Sequence, residues 1–451
     1  MLRSSPKLFS FPEILSSELQ AEILLALPPK EILRICSEVE GLKRGCSQYK
    51  FWERVWLIWV SSRLPNWSSE EIKNEISRRV EEARRLTPVD LLIQGSLEGI
   101  LFYVIEAHEQ GVNVSFLDDW ALRRAAANGH FEIVRYLVEV GGANISALED
   151  EAFRLAARNG HLDVVRYLVE RGANIFAREN EALRRAAANG HLDVVKYLVE
   201  RGANVFAKED YALRFAAANG HLNVVRYLVE EGGANVSSEE DEALRLAAEN
   251  GHLDVVRYLV ESGADVSAEQ NEALFLAAAN GHLVVVRYLV EEGGANVFAN
   301  ENEALIFAAA EGHLDVVKYL VEKGADISAR DNEAFIAAAA NGYLAVVKYL
   351  DEKGANISAQ EDAALREAAA NGSLDVVKYL VKRGANVSAR EDEALRLAAE
   401  NGHLYVVKYL VESGANIAAR NHEALRRAEE SGDLDIVEYL VEMEKNPSDL
   451  D

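Results

Sequence analysis

The sequence predicts an all-α protein: about twelve stacked helix-turn-helix units of 30–31 residues, behind a small helical region of different character. Three observations predict it. A turn glycine recurs eleven times, from Gly129 to Gly432, at intervals of 30 or 31 residues. Between glycines the apolar positions keep helical spacing, as in Leu162, Val165, Leu168 and Val169, in segments of about eight or nine residues that are too short to be stable alone and must stack on neighbours. The first 86 residues carry no trace of the period.

Each unit is laid out in the same order, as in "NEALFLAAANGHLVVVRYLVEEGGANVFA". An Asn or Asp opens it, at Asp150, Asn180, Asp210, Asp241, Asn271, Asn302, Asn332, Asp362 and Asp392. Such a side-chain oxygen is expected to cap the free amides of the first helix. That helix is rich in alanine, which lets the next unit approach to roughly 8 Å. The second helix presents an apolar face to the stack. Every 31-residue interval contains a doubled glycine (Gly141-Gly142, Gly232-Gly233, Gly293-Gly294), which places the extra residue after the second helix.

Two short antiparallel helices, "GHL" in the turn and "GANV" or "GADV" leading into a finger resemble ankyrin repeats. The family's usual unit is about 33 residues with Thr-Pro-Leu-His at the first helix; here the finger is about three residues shorter and "EALR" takes that place. The monotonous "ALRxAAxNGHLDVVKYLV" type resembles the ankyrin proteins of giant DNA viruses. The resemblance spans residues 87–445, from an imperfect unit at Thr87 to a polar closing unit at Asn421, and implies a solenoid that binds proteins. Residues 446–451 read as a disordered tail.

Residues 1–60 predict three short helices with large apolar faces, and Ser68 with Glu71 forms a capping box for a linker helix within 61–86. The order Leu, Glu-Leu, Ile-Leu, "LPPKEILRIC" and a closing Phe-Trp resembles an F-box over residues 11–57, with Leu15-Ser16 where that family opens on Leu-Pro. The resemblance implies docking on a Skp-type adaptor of a cullin ligase through Leu15, Ile23, Leu24, Leu27, Pro28, Ile32, Leu33 and Cys36. A helical cap over the first repeat is the alternative.

The formal charge is −26, and residues 1–86 hold 14 Lys and Arg against 12 Asp and Glu, so the repeats carry the whole deficit. Phosphate backbones and anionic lipid are repelled by such an array, which excludes nucleic acid and membranes as expected partners and favours a protein. Cys36 and Cys46 are the only cysteines and no leader-like start precedes them, which suggests a reducing, cytoplasmic setting, the host's if the protein is viral. Eight histidines, His130 to His403, recur once per unit at one turn position, expected to bond across the turn and spaced roughly 10 Å apart, too far to share a metal. With no phosphate loop, nucleophile elbow or paired-cysteine motif, no active site, cofactor or metal is expected.

Departures from the repeat carry the functional expectation. The position six before each turn glycine is arginine except in three successive units, where it is Phe275, Ile306 and Ile336. Two of those units also lose an acidic residue, at Val284 and Ala345, and Phe298 stands in a finger between them. An apolar patch rimmed by charge is the anatomy of a protein-binding site. Phe176 and Phe206, in successive fingers with Phe215 near, form a competing site. The expected function is the substrate-recognition subunit of a Skp/cullin/F-box ubiquitin ligase that captures a target protein on the repeats, and the alternative is a decoy that sequesters its partner without ubiquitylation.

Overall fold

Alternation of an alanine-rich and a valine-leucine segment becomes, in the computed structural model, a succession of antiparallel helix pairs over the described residues, 85–445. The expected docking residues from Leu15 to Cys36, nearly all of the linker and the tail from residue 446 lie outside the described residues. Among the described residues there are 24 helices and no strand. They form two units, one ending at Asn174 and one beginning at Ile175.

The first unit holds three pairs: Pro88–Glu98 with Leu101–Glu109, Phe116–Ala127 with Phe131–Glu139, and Ala147–Arg158 with Leu162–Glu170. Its opening helix differs from all that follow. Thr87 accepts a bond from the Asp90 amide while Asp90 reaches back to the Thr87 backbone, and Pro88 supplies the preset φ of a first turn. The second unit holds nine pairs, from Ala177–Ala188 with Leu192–Glu200 to Ala419–Ser431 with Leu434–Lys445.

Within each unit, the first helices of successive pairs pack on one another. Alanines make this possible: Ala186 and Ala187 are completely buried, and the second helix brings Val195 and Leu198 into the same core. Full burial of such a Val or Leu contributes about 1.5–3 kcal/mol, so it is the repeated layer that offsets the cost of ordering such short helices.

The turn glycines answer two demands at once. Gly251 has φ 76°, and a Cβ there would meet the His282 ring of the following pair, 2.6 Å from its Nδ1. His282 Nε2 lies 2.9 Å from the Glu249 carbonyl. Because a carbonyl only accepts, the ring carries its proton on Nε2. His130 reaches Leu97 and His403 reaches Ala370 in the same way. Bonding across the imidazole's own turn is therefore corrected: the ring ties one pair to the pair before it. In each doubled glycine the second member takes the left-handed conformation, with φ 69° at Gly142, 70° at Gly233 and 76° at Gly294.

The opening Asn and Asp residues are not helix caps. Each ends a run of three left-handed residues, as in Arg178, Glu179 and Asn180 with φ 47°, 56° and 59°. Asn180 is buried, and its Oδ1 accepts the Asn204 amide of the next finger at 2.8 Å. Asp362 does the same for Asn386 at 2.9 Å and Asp392 for Asn416 at 2.8 Å. Asn and Asp suit this place because they tolerate positive φ better than other residues with a Cβ.

Candidate partner-binding surface

A left-handed run of non-glycine residues costs about 1–2 kcal/mol per residue and needs support. Except at the exposed Arg426, the arginine six positions before the turn glycine supplies it. In the first unit, Arg154 donates from Nε to the Glu149 carbonyl and from Nη2 to the Leu148 carbonyl, both at 2.9 Å. In the second, Arg366 contacts the Glu361 and Gln360 carbonyls at 3.1 and 3.0 Å, then reaches Glu393 of the next pair at 2.7 Å. Arg245 similarly joins the Glu239 carbonyl to Glu272. This arginine thus clamps the left-handed turn and ties adjacent pairs through the glutamate that follows the next turn.

Phe275, Ile306 and Ile336 remove the clamp from the first helices Ala268–Ala279, Ala299–Ala310 and Ala329–Ala340. Neighbours take over part of its work. Arg330, from the following turn, donates to the Asn300 carbonyl at 3.2 Å and to Glu301 at 3.0 Å. Gln360 reaches the Arg330 and Asp331 carbonyls at 3.4 Å. After Ile336, the glutamate that would have met the arginine is itself absent, replaced by Ala363. The pair is lost as a pair.

What replaces it is a set of apolar side chains on one face of the first helices. Phe275 is half-buried and its ring meets that of Phe307, 4.7 Å between centroids and tilted 69°. Ile306 is 4% exposed and packs inward, whereas Ile336 is half-buried. Positions nine, five and two before the glycine share this partly exposed face in the three helices, joined at position six by Phe275 and Ile336.

One column of that face was not singled out from sequence. The position five before the glycine reads Phe215, Leu246, Leu276, Phe307 and Ala337 through five successive pairs, between Arg185 and Glu367. All five are half-buried. Each alone passes for core at the usual helical spacing; the signal is the column, apolar in the middle and charged at either side. Tyr211 and Phe215 extend it, stacked at 4.0 Å between centroids with the Arg184 guanidinium 4.9 Å from the Tyr211 ring.

The remaining candidates lie elsewhere. Val284, 58% exposed, and Ala345, also exposed, are on second helices, so the loss of charge in this window is divided between two helices rather than gathered on one. Phe298 is 53% exposed in its finger, and Phe176 and Phe206 are each 54% exposed in theirs.

Electrostatics separate this window from its neighbours. The three clamp-free first helices carry Glu269, Glu272, Glu301, Glu303, Asp331 and Glu333 against Arg330 alone. By contrast, Ala177–Ala188 has Arg178, Arg184 and Arg185 against Glu179 and Glu181. Glu303 is held by Asn300 and Glu333 lies 3.6 Å from Arg330.

Just beyond the window, Asp351 stands where the other second helices of the second unit have valine. It is 8% exposed and accepts from Arg383 at 2.6 and 3.1 Å and from the Tyr379 hydroxyl at 2.5 Å. Burial pushes its carboxyl up, but the bonds from Arg383 and Tyr379 outweigh that and hold it below the usual carboxylate range. Burial, followed by the bond to Asp351, raises the Tyr379 phenol to about 12.

Among the described residues, no three His, Cys, Asp or Glu side chains converge as metal ligands, and no helix is long and apolar enough to cross a membrane. A family model described as Ankyrin repeats (3 copies) matches residues 92–179, 122–209, 183–270, 266–331, 329–391 and 365–451. No curated protein matches the sequence.

Proposed function

The chain belongs to the ankyrin-repeat family, whose arrays are protein-interaction modules, and on that premise we propose that it is the substrate-recognition subunit of a Skp/cullin/F-box ubiquitin ligase. The repeats capture a target protein, and the F-box-like stretch at residues 11–57 engages a Skp-type adaptor. The protein supplies binding and placement in the cytoplasm, and other subunits supply the chemistry. The target is a host or cellular protein, the former if the repeat's resemblance to giant-virus ankyrin proteins reflects its origin.

The observation that carries target capture is the replacement of a structural arginine by Phe275, Ile306 and Ile336 in three successive pairs, with an apolar column beside it. Half-buried aromatic and aliphatic side chains rimmed by carboxylates have the make-up of an interface core. Val284, Phe298 and Ala345 border the same window, and Phe176 with Phe206 form the rival site.

Two measurements test the proposal in separable parts. Tagged protein should co-purify with a Skp-type adaptor, and Leu27→Asp with Leu33→Asp should abolish this. Indifference to that double substitution would count against the docking role. Crosslinking of the captured target should map to residues 268–341. A target whose abundance falls in a proteasome-dependent way fits a ligase receptor; one sequestered at unchanged abundance identifies a decoy instead.

A further inference from the structure

We infer that the clamp-free window receives an amphipathic helix from a partner protein, with apolar side chains along one face and Lys or Arg flanking them. The inference rests on the adaptor role proposed above and names the kind of segment captured.

The apolar support is the column of Leu246, Leu276 and Phe307 with Phe275 and Ile336 beside it, all half-buried on the exposed face of first helices. The electrostatic support is the imbalance of carboxylates in the same helices. Where Arg245 precedes it, Glu272 is met by a guanidinium; Glu303 and Glu333 follow Phe275 and Ile306 and have lost that partner from the preceding pair. Their present companions are the Asn300 amide and a longer contact with Arg330. An incoming Lys or Arg would supply the charge that the sequence has removed. An acidic segment would meet repulsion along the whole window.

The geometry chooses the conformation. Packed helices lie roughly 8–10 Å apart, so a ligand running across the first helices meets an apolar side chain at about that interval. Seven residues of α-helix rise about 10.5 Å and return nearly to the same face. In an extended strand three residues span a similar length, but side chains alternate, so successive contacts would fall on opposite faces.

A labelled synthetic peptide of about 18 residues, roughly 27 Å as a helix and so able to span three pairs, provides the probe. Leucines occupy one face and lysines the flanks; one control scrambles the same residues and another replaces lysine by glutamate. Fluorescence anisotropy with the full chain should show tight binding of the first peptide alone. Phe275→Arg, Ile306→Arg and Ile336→Arg together should weaken it at least about tenfold, the effect of losing a single anchor worth about 1.4 kcal/mol. Arginine occupies this position in the neighbouring pairs, so the fold should be retained, as circular dichroism would verify.

A second variant, Leu276→Glu with Phe307→Glu, separates this proposal from attraction by net charge. Glu367 shows that glutamate is accepted at that position. Binding by charge alone would tighten in this variant, whereas an apolar seat predicts weakening. Equal binding of the scrambled peptide, or tighter binding by the glutamate variant, overturns the inference. If the peptide fails while a native target crosslinks to the fingers at Phe176 and Phe206, the inference falls and the adaptor role stands; if the peptide binds as described, the inference stands whether or not a Skp adaptor is found.

Discussion

The pairs from residue 359 to 430 and those from 268 to 341 share one backbone and differ in how its strained turn is held. In the first group Arg366 and Arg396 clamp their own left-handed turns and reach the next pair through Glu393 and Glu423. In the second, Phe275, Ile306 and Ile336 hold the position, and support comes from the following turn, through Arg330 and Gln360. A position can therefore serve the fold or the surface. The array gives up a polar clamp in three places and gains half-buried apolar side chains beside two of them, at Phe275 and Ile336.

The largest effect should come from breaking a clamp. Arg396 is 4% exposed and bonds two turn carbonyls and Glu423. Arg396→Ala should cost about 2–3 kcal/mol, below the upper range for a buried ion pair because Glu423 keeps Arg427. Hydrogen exchange over residues 389–430 should accelerate accordingly, and unchanged protection would mean that the clamp is ornamental.

Acid should loosen the edge between the two groups next. Asp351 joins Leu344–Glu352 to Leu374–Lys382 and the Arg383 beyond it. Its folded pKa is lowered, so its stabilisation is fully present above the unfolded carboxylate pKa and disappears as pH falls through the folded value. Arg383 is half-exposed, which limits the contribution to about 1 kcal/mol. In urea unfolding from neutral pH to below the carboxylate range, wild type should lose more stability than Asp351→Val, by about that amount; equal losses would show that this carboxylate contributes nothing.

Installing the missing clamp should have an effect of similar size and opposite sign. Ile306→Arg can reach the Asn300 and Glu301 carbonyls and Glu333, and should stabilise its turn by about 1 kcal/mol, read as slower exchange at residues 300–303. Ile336→Arg faces Ala363 and should gain less. Adding Ala363→Glu should reveal a coupling of about 0.5 kcal/mol in a double-mutant cycle, the smallest effect of the series. An equal gain with and without that glutamate would show that the guanidinium acts only on its own turn.

How far these features could be read in advance depended on where their partners lie. The helix pairs and turn glycines were legible because their causes are local: apolar spacing and a left-handed φ at each turn glycine. Asp392 was misread as a cap because an N-cap and a left-handed turn favour the same residues, and its true partner, the Asn416 amide, lies 24 positions further on. The clamp was hidden for a related reason. Arg396 binds backbone carbonyls, which every residue has, so no sequence letter marks them. Phe275, Ile306 and Ile336 were visible as exceptions to a column, but Leu246, Leu276 and Phe307 were not, because a leucine at helical spacing looks the same whether half-exposed or enclosed. As for Leu15 to Cys36, they lie outside the described residues, and their docking role stays with the proposal.

Two kinds of tie between neighbouring pairs govern how such a chain can change length. The His282 bond to Glu249 spans 33 residues, and the Asn386 bond to Asp362 spans 24. Neither skips a neighbour. A copy excised from one turn glycine to the next leaves both cut ends facing the same donors and acceptors they faced before, so whole copies can be duplicated or dropped without inventing a new junction. Reach along the target, and not only affinity for it, then becomes something that unequal recombination can adjust in steps of one hairpin.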